Sequence, residues 1–122
     1  MRKVNFNKVN PCNDLIDIVS EDKIGPGNAY HSYFMRYPTI DGSVASQRID
    51  FQNGPINEVG VNGVTQEALL AILIDRLECF QSSEFACVEN NNALQHLIEA
   101  QEELNSRTKK RVNEGTEGTH KV

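Results

Sequence analysis

The feature that most constrains the fold is the stretch from Gln66 to Phe80, which contains no Gly and no Pro. Its apolar residues form one stripe and widen it onto neighbouring faces: Leu70, Leu73, Leu77 and Phe80, with Leu69, Ile72 and Ile74. Thr65 can cap the first turn, and Glu67 there complements the helix dipole. The pattern predicts a helix with more apolar surface than one neighbour can cover. We therefore expect it to pack on two surfaces, a sheet and something else.

A second helix is predicted to run back antiparallel to the first, after a short connector at residues 81–83. It is expected to begin near Glu84 and Phe85, and its apolar residues recur at three- and four-residue steps: Val88, Leu94, Leu97, Ile98 and Leu104. It could extend about 30 residues to Gly115, or about 45 Å. Such a length predicts an intermolecular helical interface and a homo-oligomer. The alternative is that Asn90, Asn91 and Asn92 break the helix, which would favour a compact monomer.

The N-terminal part alternates between apolar and polar residues and predicts a small antiparallel sheet of three or four strands. Its expected segments lie around Val4 and Phe6, around Leu15 to Val19, over residues 30–37, and from Val44 toward Phe51. Asp41 and Gly42 form a hairpin turn signal. The predicted fold class is α+β: a sheet region over 1–58, then a helical hairpin with a C-terminal Gly-Thr tail over 59–122, in one compact domain overall.

The composition sets limits on the class of protein. A length of 122 residues fits one domain, and 12 Lys plus Arg against 17 Asp plus Glu give a formal charge of −5. An acidic chain is a poor candidate for coating long nucleic acids. No apolar run approaches the roughly 18 residues of a membrane span, and the first ten residues lack the apolar core of a signal peptide. These features predict a small cytosolic protein that needs a partner subunit.

No pattern in the sequence points to a catalytic or metal centre. Cys12, Cys79 and Cys87 are odd in number and lack CxxC spacing, so neither a disulfide framework nor a zinc site is expected. Cys79 and Cys87 fall on the predicted helices, where a thiol is most often a small core hydrophobe. His31, His96 and His120 lie far apart without metal-ligand spacing. The sequence therefore predicts neither a metal nor a cofactor.

The charge is concentrated in two segments of opposite sign. Residues 64–106 carry 1 basic and 8 acidic groups, whereas residues 107–122 carry 5 basic and 2 acidic groups. Arg107 and Arg111 are four apart and share a helix face, beside a doubled Gly-Thr unit that ends in His120. Arginines beside backbone and threonine donors suit a diphosphate or a cyclic nucleotide. The alternatives are cations that complement a helix C-terminus and a frayed polar tail.

The C-terminal 70 residues resemble phage-encoded anti-Thoeris sponge proteins, whose helical hairpin is similar to that of anti-CBASS sponges. The resemblance rests on the order and spacing of several motifs: Asn53-Gly54-Pro55, Gly60-Val61-Asn62-Gly63-Val64-Thr65, Glu67-Ala68-Leu69-Leu70-Ala71-Ile72, Asp75-Arg76-Leu77, Phe80-Gln81, Phe85-Ala86-Cys87, Glu89-Asn90, Arg107-Thr108 and Glu114-Gly115-Thr116-Glu117-Gly118-Thr119-His120.

The resemblance implies a non-enzymatic function in the cytoplasm of an infected bacterium. Such proteins bind and hide a cyclic ADP-ribose isomer made by a bacterial TIR-domain enzyme, so that the downstream effector stays off. They assemble as dimers and often as trimers of dimers. Some members also hold CBASS cyclic di- or trinucleotides at separate sites.

Carried over residue by residue, the resemblance implies six ligand-binding positions. Phe80 would stack on adenine, and Asn90 would read a base or ribose edge. Arg107 and Arg111 would hold the pyrophosphate, with Lys109 and Lys110 between them as competing cations. Thr116 and His120 would close over the ligand from the tail.

Two other functions fit the same residues. The first is an enzyme that degrades the same signal, with His120 and Glu117 as acid and base. The second is an oligomeric adaptor whose hairpin binds another protein.

Overall fold

The structure, a computed structural model, describes residues 2–114. These form two compact units, one within Met1–Gly63 and the other within Val64–Val122. The first unit holds a four-stranded antiparallel sheet and the second a hairpin of two long helices, so the predicted α+β fold class is confirmed. The elements are β1 (Arg2–Val4), α1 (Pro11–Asp14), β2 (Asp17–Ser20), β3 (Ser32–Pro38), β4 (Val44–Asp50), α2 (Ile56–Val59), α3 (Gln66–Gln81) and α4 (Val88–Asn113), with a 3-10 turn at Pro26–Asn28.

The sheet is a meander in which each strand pairs with the next along the chain, in the order β1-β2-β3-β4. The register places Val19 opposite Phe34, and Phe34 opposite Arg48. Successive side chains of a strand point to opposite faces. On β4, Val44, Ser46 and Arg48 are exposed while Ala45 and Ile49 are half-buried. Val19, Phe34 and Arg48 lie on one face of the sheet, which is therefore buried at Val19 and exposed along β4.

The predicted turn at Asp41 and Gly42 connects β3 to β4. Gly42 has a φ of 86°, a conformation that glycine adopts without strain. The Asp41 carboxylate accepts hydrogen bonds from the hydroxyl groups of Thr39 and Ser43 and from the Ser43 backbone. These bonds lower the pKa of Asp41 to about 2.

The strand ends differ from the sequence expectation at two apolar residues. Phe6 follows β1 and is 98% exposed, and Leu15 precedes β2 and is 56% exposed. The one-turn helix α1 lies between these strands. It forms because Asn10 accepts a hydrogen bond from the Asn13 backbone while Pro11 occupies the first turn, where its missing N–H costs nothing.

The segment after β4 is closed by amide side chains. Asn53 and Asn62 exchange two hydrogen bonds of 2.8 Å, and Gln52 bonds to Asn62 and to the Gly60 carbonyl. A Cβ on Gly63 would lie 2.5 Å from the Phe51 carbonyl carbon, so only glycine fits there. The Asn, Gly and Pro motifs of residues 53–63 thus build one compact loop.

The two long helices form the predicted antiparallel hairpin. Thr65 caps α3 by accepting from the Ala68 N–H at 3.1 Å, as expected. Near the same end of α3, Gln101 of α4 donates to the Glu67 carbonyl at 2.8 Å. This bond joins the C-terminal half of α4 to the first turn of α3, which makes the helices antiparallel.

The start of α4 was predicted too early. The helix begins at Val88 rather than near Glu84 because side chains hold the connector in a non-helical conformation. Ser83 Oγ accepts from the Phe85 N–H, and Gln81 Oε1 accepts from the Cys87 N–H. Beyond Val88 the helix runs unbroken through the three asparagines, so the alternative of two short helices is wrong.

Full burial of apolar side chains is rare in both units. Among residues 2–114, the buried core hydrophobic residues are Val19 in the sheet and Leu94 in α4, each 7% exposed. On α3, Ile72 is 63% and Leu73 is 47% exposed. The hairpin therefore carries apolar surface on more than one side, as the sequence pattern predicted.

Candidate functional site

An open groove of about 510 Å³ lies where α3 ends and the connector begins. The groove is lined by two aromatic residues, Phe80 and Phe85, and by two charged residues, Asp75 and Arg76. The other lining residues are Ile72, Cys79 and Ser83. The groove exists because α3 stops at Gln81. There the Ser82 hydroxyl donates to the Glu78 carbonyl and the Ser83 hydroxyl donates to the Phe80 carbonyl, in addition to the backbone bonds that these carbonyls accept at the helix end.

Phe80 is the predicted site residue that lines this groove. The Arg76 guanidinium lies 5.1 Å from the centre of the Phe80 ring, one helical turn away. A cation over an aromatic face is attracted by the ring's quadrupole and restricts its orientation. The pair presents a flat aromatic and guanidinium surface of the kind on which a nucleobase stacks.

Asn90 lies at the same end of the hairpin, in the first turn of α4. Cys87 caps this helix, and its Sγ accepts from the Asn90 backbone N–H at 3.4 Å. The Asn90 side chain is half-buried and does not line the groove of Phe80. Its amide can both donate and accept hydrogen bonds, which suits a base edge or a ribose hydroxyl.

The predicted cations lie at the opposite end of α4. Arg107 is exposed, whereas Arg111 is half-buried. Seventeen residues separate Asn90 from Arg107, which corresponds to about 26 Å along the helix axis. One chain therefore brings Phe80 and Asn90 to one end of the hairpin and Arg107 and Arg111 to the other. Thr116 and His120 lie outside the described residues.

Two charged residues that line the groove, Asp75 and Arg76, were not predicted from the sequence. Arg76 is spaced four residues before Phe80, and this spacing was the available signal. Asp75 had no predicted role, yet it lines the groove. Its carboxylate adds an acceptor of hydrogen bonds beside the aromatic surface.

The expected core positions of two cysteines were wrong. Cys79 and Cys87 are exposed free thiols. Cys79 lines the groove, because it follows Leu77 by two residues and so lies off the half-buried side of α3. Cys87 precedes α4 as its cap. Neither position belongs to the apolar stripe that holds the hairpin together.

Within residues 2–114 no three His, Cys, Asp or Glu side chains converge as they would around a metal ion. Across the same residues, none of the helices combines the length and the apolar character that crossing a bilayer requires.

The fold and the groove define a class of protein: a small antiparallel sheet joined to a helical hairpin that carries an aromatic groove at one end and cations at the other. The family model described as "Acb2/Tad1, hairpin domain" matches residues 44–109, from the start of β4 to the C-terminal end of α4. The chain belongs to this family. Phe80, Asn90 and Arg107 fall inside the matched segment, and Arg111, Thr116 and His120 fall beyond it.

The chain is also similar to the protein named Thoeris anti-defense 1 of Bacillus phage SBSphiJ7. The two are 51% identical over 72 residues, which cover 59% of this chain and 51% of the relative. The match thus spans about half the length of that curated relative.

Proposed function

We propose that the protein is a non-enzymatic sponge that sequesters a cyclic ADP-ribose isomer and thereby blocks Thoeris defence in the cytoplasm of an infected bacterium. The family membership and the name of the phage relative support an anti-Thoeris role. The observation that carries the proposal is the groove in which Arg76 lies against Phe80. It offers the stacking surface that an adenine needs.

Each half of the ligand has a matching end of the hairpin. Phe80 stacks on the adenine, and Asn90 bonds to a base or ribose edge. Arg107 and Arg111 hold the pyrophosphate, since a guanidinium matches phosphate oxygens bidentately. Thr116 and His120 of the tail then close over the ligand.

The separation of these ends requires a second copy of the chain. About 26 Å of helix lies between Asn90 and Arg107, which is too far for one small cyclic nucleotide to span. In an antiparallel pair of hairpins, the cationic end of one protomer meets the aromatic end of its partner. Exposed apolar side chains on the hairpin supply the contact surface: Ile72, Leu73, Phe85 and Val88. We therefore propose a homo-oligomer, either a dimer or a trimer of dimers.

The affinity that sequestration demands also favours a site shared by two copies. A nanomolar Kd corresponds to about −12 kcal/mol. Charge-assisted hydrogen bonds contribute roughly 1.5–3 kcal/mol each, so two arginines are too few. Stacking, tail closure and the partner's groove supply the remainder. Cyclic oligonucleotides of CBASS occupy separate sites in this proposal.

The test is recovery of the ligand after binding. A cyclic ADP-ribose isomer is mixed with the full chain, binding is measured by calorimetry, and the mixture is heated to denature the protein. We expect saturable binding and release of a compound with unchanged mass and chromatographic retention. A control without protein corrects for thermal decay of the ligand.

Two outcomes would overturn the proposal. Recovery of an altered compound would establish an enzyme that degrades the signal. The absence of both a heat of binding and a shift in melting temperature, across cyclic ADP-ribose isomers and cyclic oligonucleotides, would favour an adaptor that binds another protein.

A further inference from the structure

The side chains that line the groove at the end of α3 fall into two neighbouring rows. Residues four apart on a helix lie above one another, and residues three apart lie on adjacent rows. The first row carries the aromatic ring and the guanidinium: Ile72, Arg76 and Phe80. The second row is polar and continues just past the helix end: Asp75, Cys79 and Ser83. A flat group that stacks on the first row therefore turns one edge toward the second row.

Asp75 supplies the unoccupied hydrogen-bond acceptors of the second row. The Ser83 hydroxyl already donates to the Phe80 carbonyl and accepts from the Phe85 N–H. The Cys79 thiol can form only weak hydrogen bonds. The Asp75 side chain is exposed, and within residues 2–114 its carboxylate forms neither a hydrogen bond nor a salt bridge. An ionised carboxylate accepts hydrogen bonds and donates none, so it favours a ligand edge that carries a donor.

Helix geometry places Asp75 at the height of the stacking surface. Side chains on a helix lean toward its N-terminus, so the Phe80 ring extends back toward Arg76, whose guanidinium lies 5.1 Å from the ring centre. Asp75 precedes Arg76 by one residue. This spacing corresponds to about 1.5 Å along the axis and about 100° around it. The carboxylate therefore lies beside the aromatic and guanidinium surface, where the edge of a stacked base would meet it.

The charge around the groove indicates which part of a nucleotide it accepts. Arg76 is the one basic residue between positions 64 and 106, whereas that segment holds eight acidic residues. The guanidinium is directed at the Phe80 ring, and Asp75 lies next to it in the lining. A phosphate group would be repelled by this carboxylate, and an uncharged base would not. The groove therefore favours the base of a nucleotide over its phosphates.

We propose that Asp75 determines the base specificity of the nucleotide site, by accepting a hydrogen bond from the exocyclic amino group of an adenine stacked on Phe80 and Arg76. This inference rests on the proposed function and adds the group that selects the base. Stacking alone selects poorly, because every base has a π-face. Hypoxanthine carries an oxygen in place of the amino group, which would bring two acceptors together and disfavour binding.

The test compares ADP with IDP, whose bases are adenine and hypoxanthine. Calorimetry on the full chain is expected to show about tenfold tighter binding of ADP, since one bond to a charged acceptor is gained. Asp75→Asn should bring the two affinities close to equality, because an amide can also donate to the hypoxanthine oxygen. Phe80→Ala should weaken binding of both nucleotides by a similar factor, since both bases stack on the ring.

Glu78→Gln is the matched control for the charge change. Glu78 lies on the same helix, is exposed and does not line the groove, so its substitution removes the same charge without touching the base. We expect this variant to keep the preference for ADP. Far-UV circular dichroism checks that the helices of every variant remain folded.

Four results would each overturn the assignment of Asp75. These are equal affinity of the unaltered chain for ADP and IDP, an unchanged preference after Asp75→Asn, the same loss of preference after Glu78→Gln, and no binding of ADP. Failure of the proposed function is read separately, from calorimetry with cyclic ADP-ribose isomers. A preference for ADP that depends on Asp75, in a chain that binds none of those isomers, would overturn the sponge function and leave the base selection in place.

Discussion

Arg107 and Lys109 form a natural pair for testing which cations of the α4 C-terminus hold a ligand. Both side chains are exposed, and both lie in the last two turns of the helix. Positions two apart differ by about 200° around the helix axis, so the two charges point to nearly opposite sides. Removing either one lowers the net charge equally.

We expect Arg107→Ala to weaken binding of a cyclic ADP-ribose isomer by about tenfold or more, since charge-assisted bonds to the pyrophosphate are lost. Lys109→Ala is expected to keep most of the affinity. Calorimetry measures the dissociation constant of each variant, and far-UV circular dichroism checks that the helices remain folded. Equal affinities for the two variants would remove Arg107 from the site.

At the scale of single residues, the cysteines show that the burial of a thiol cannot be predicted from residue type alone. A thiol on a helix is usually a core residue, yet Cys79 and Cys87 are exposed. Composition cannot distinguish a core thiol from one at a helix end. That distinction requires the helix boundary, which in this chain depends on hydrogen bonds that the Ser83 and Gln81 side chains accept from the backbone.

At the scale of elements, the β3–β4 hairpin links pH to stability. The pKa of Asp41 is about 2 in the folded chain, below its ordinary value of 3.8, because the Thr39 and Ser43 hydroxyls donate to the ionised carboxylate. A lowered folded-state pKa contributes stability that is present above pH 3.8 and is lost as the pH falls through 2. The pKa values of Asp17, Asp22 and Asp50 in the same unit are lowered as well.

We therefore expect the sheet unit to lose stability as the pH falls from about 4 to about 2. Asp41→Asn should lower stability at pH 6 and reduce the loss between pH 5 and pH 2. Denaturant unfolding followed by tyrosine fluorescence measures both effects. Glu21→Gln is the matched control, since Glu21 is exposed and its side chain accepts no hydrogen bond within residues 2–114. An Asp41→Asn protein with the same pH profile as Glu21→Gln would contradict this assignment.

The helices were more predictable than the segments between them. The period of apolar residues and the Thr65 cap located α3 closely, because both signals are local. The start of α4 was misplaced because Gln81 holds the Cys87 backbone from six residues away. The expected continuity of α4 through Asn90, Asn91 and Asn92 is confirmed, since asparagine lowers helix propensity only slightly.

At the scale of the whole molecule, Phe80 and Arg107 lie at opposite ends of the hairpin, so a site shared by two protomers can be tested by mixing two variants. If each site combines Phe80 of one protomer with Arg107 of its partner, Phe80→Ala and Arg107→Ala homo-oligomers both bind poorly. In a mixed dimer one site then carries both defects, and the other carries neither. Random mixing leaves about one quarter of the sites intact.

We expect calorimetry on the mixture, after unfolding and joint refolding, to recover tight binding with a stoichiometry near one quarter of wild type. The control is the same treatment of each variant alone. A site contained in one chain would show no recovery, and sedimentation at the mass of one chain, 13.7 kDa, would rule out the oligomer.

The sequence by itself determined the α+β class, the turn at Asp41 and Gly42, the antiparallel hairpin and the concentration of basic residues at the C-terminal end of α4. Each of these depends on local periodicity, turn chemistry or the order of charges along the chain. The tertiary structure decided that Phe80 lies against Arg76 in a groove, that Arg107 lies a helix length away from Asn90, and that Asp17 lies opposite Arg36 in the sheet. Those relations depend on strand register and on where a helix stops, which are set by contacts between residues distant in sequence.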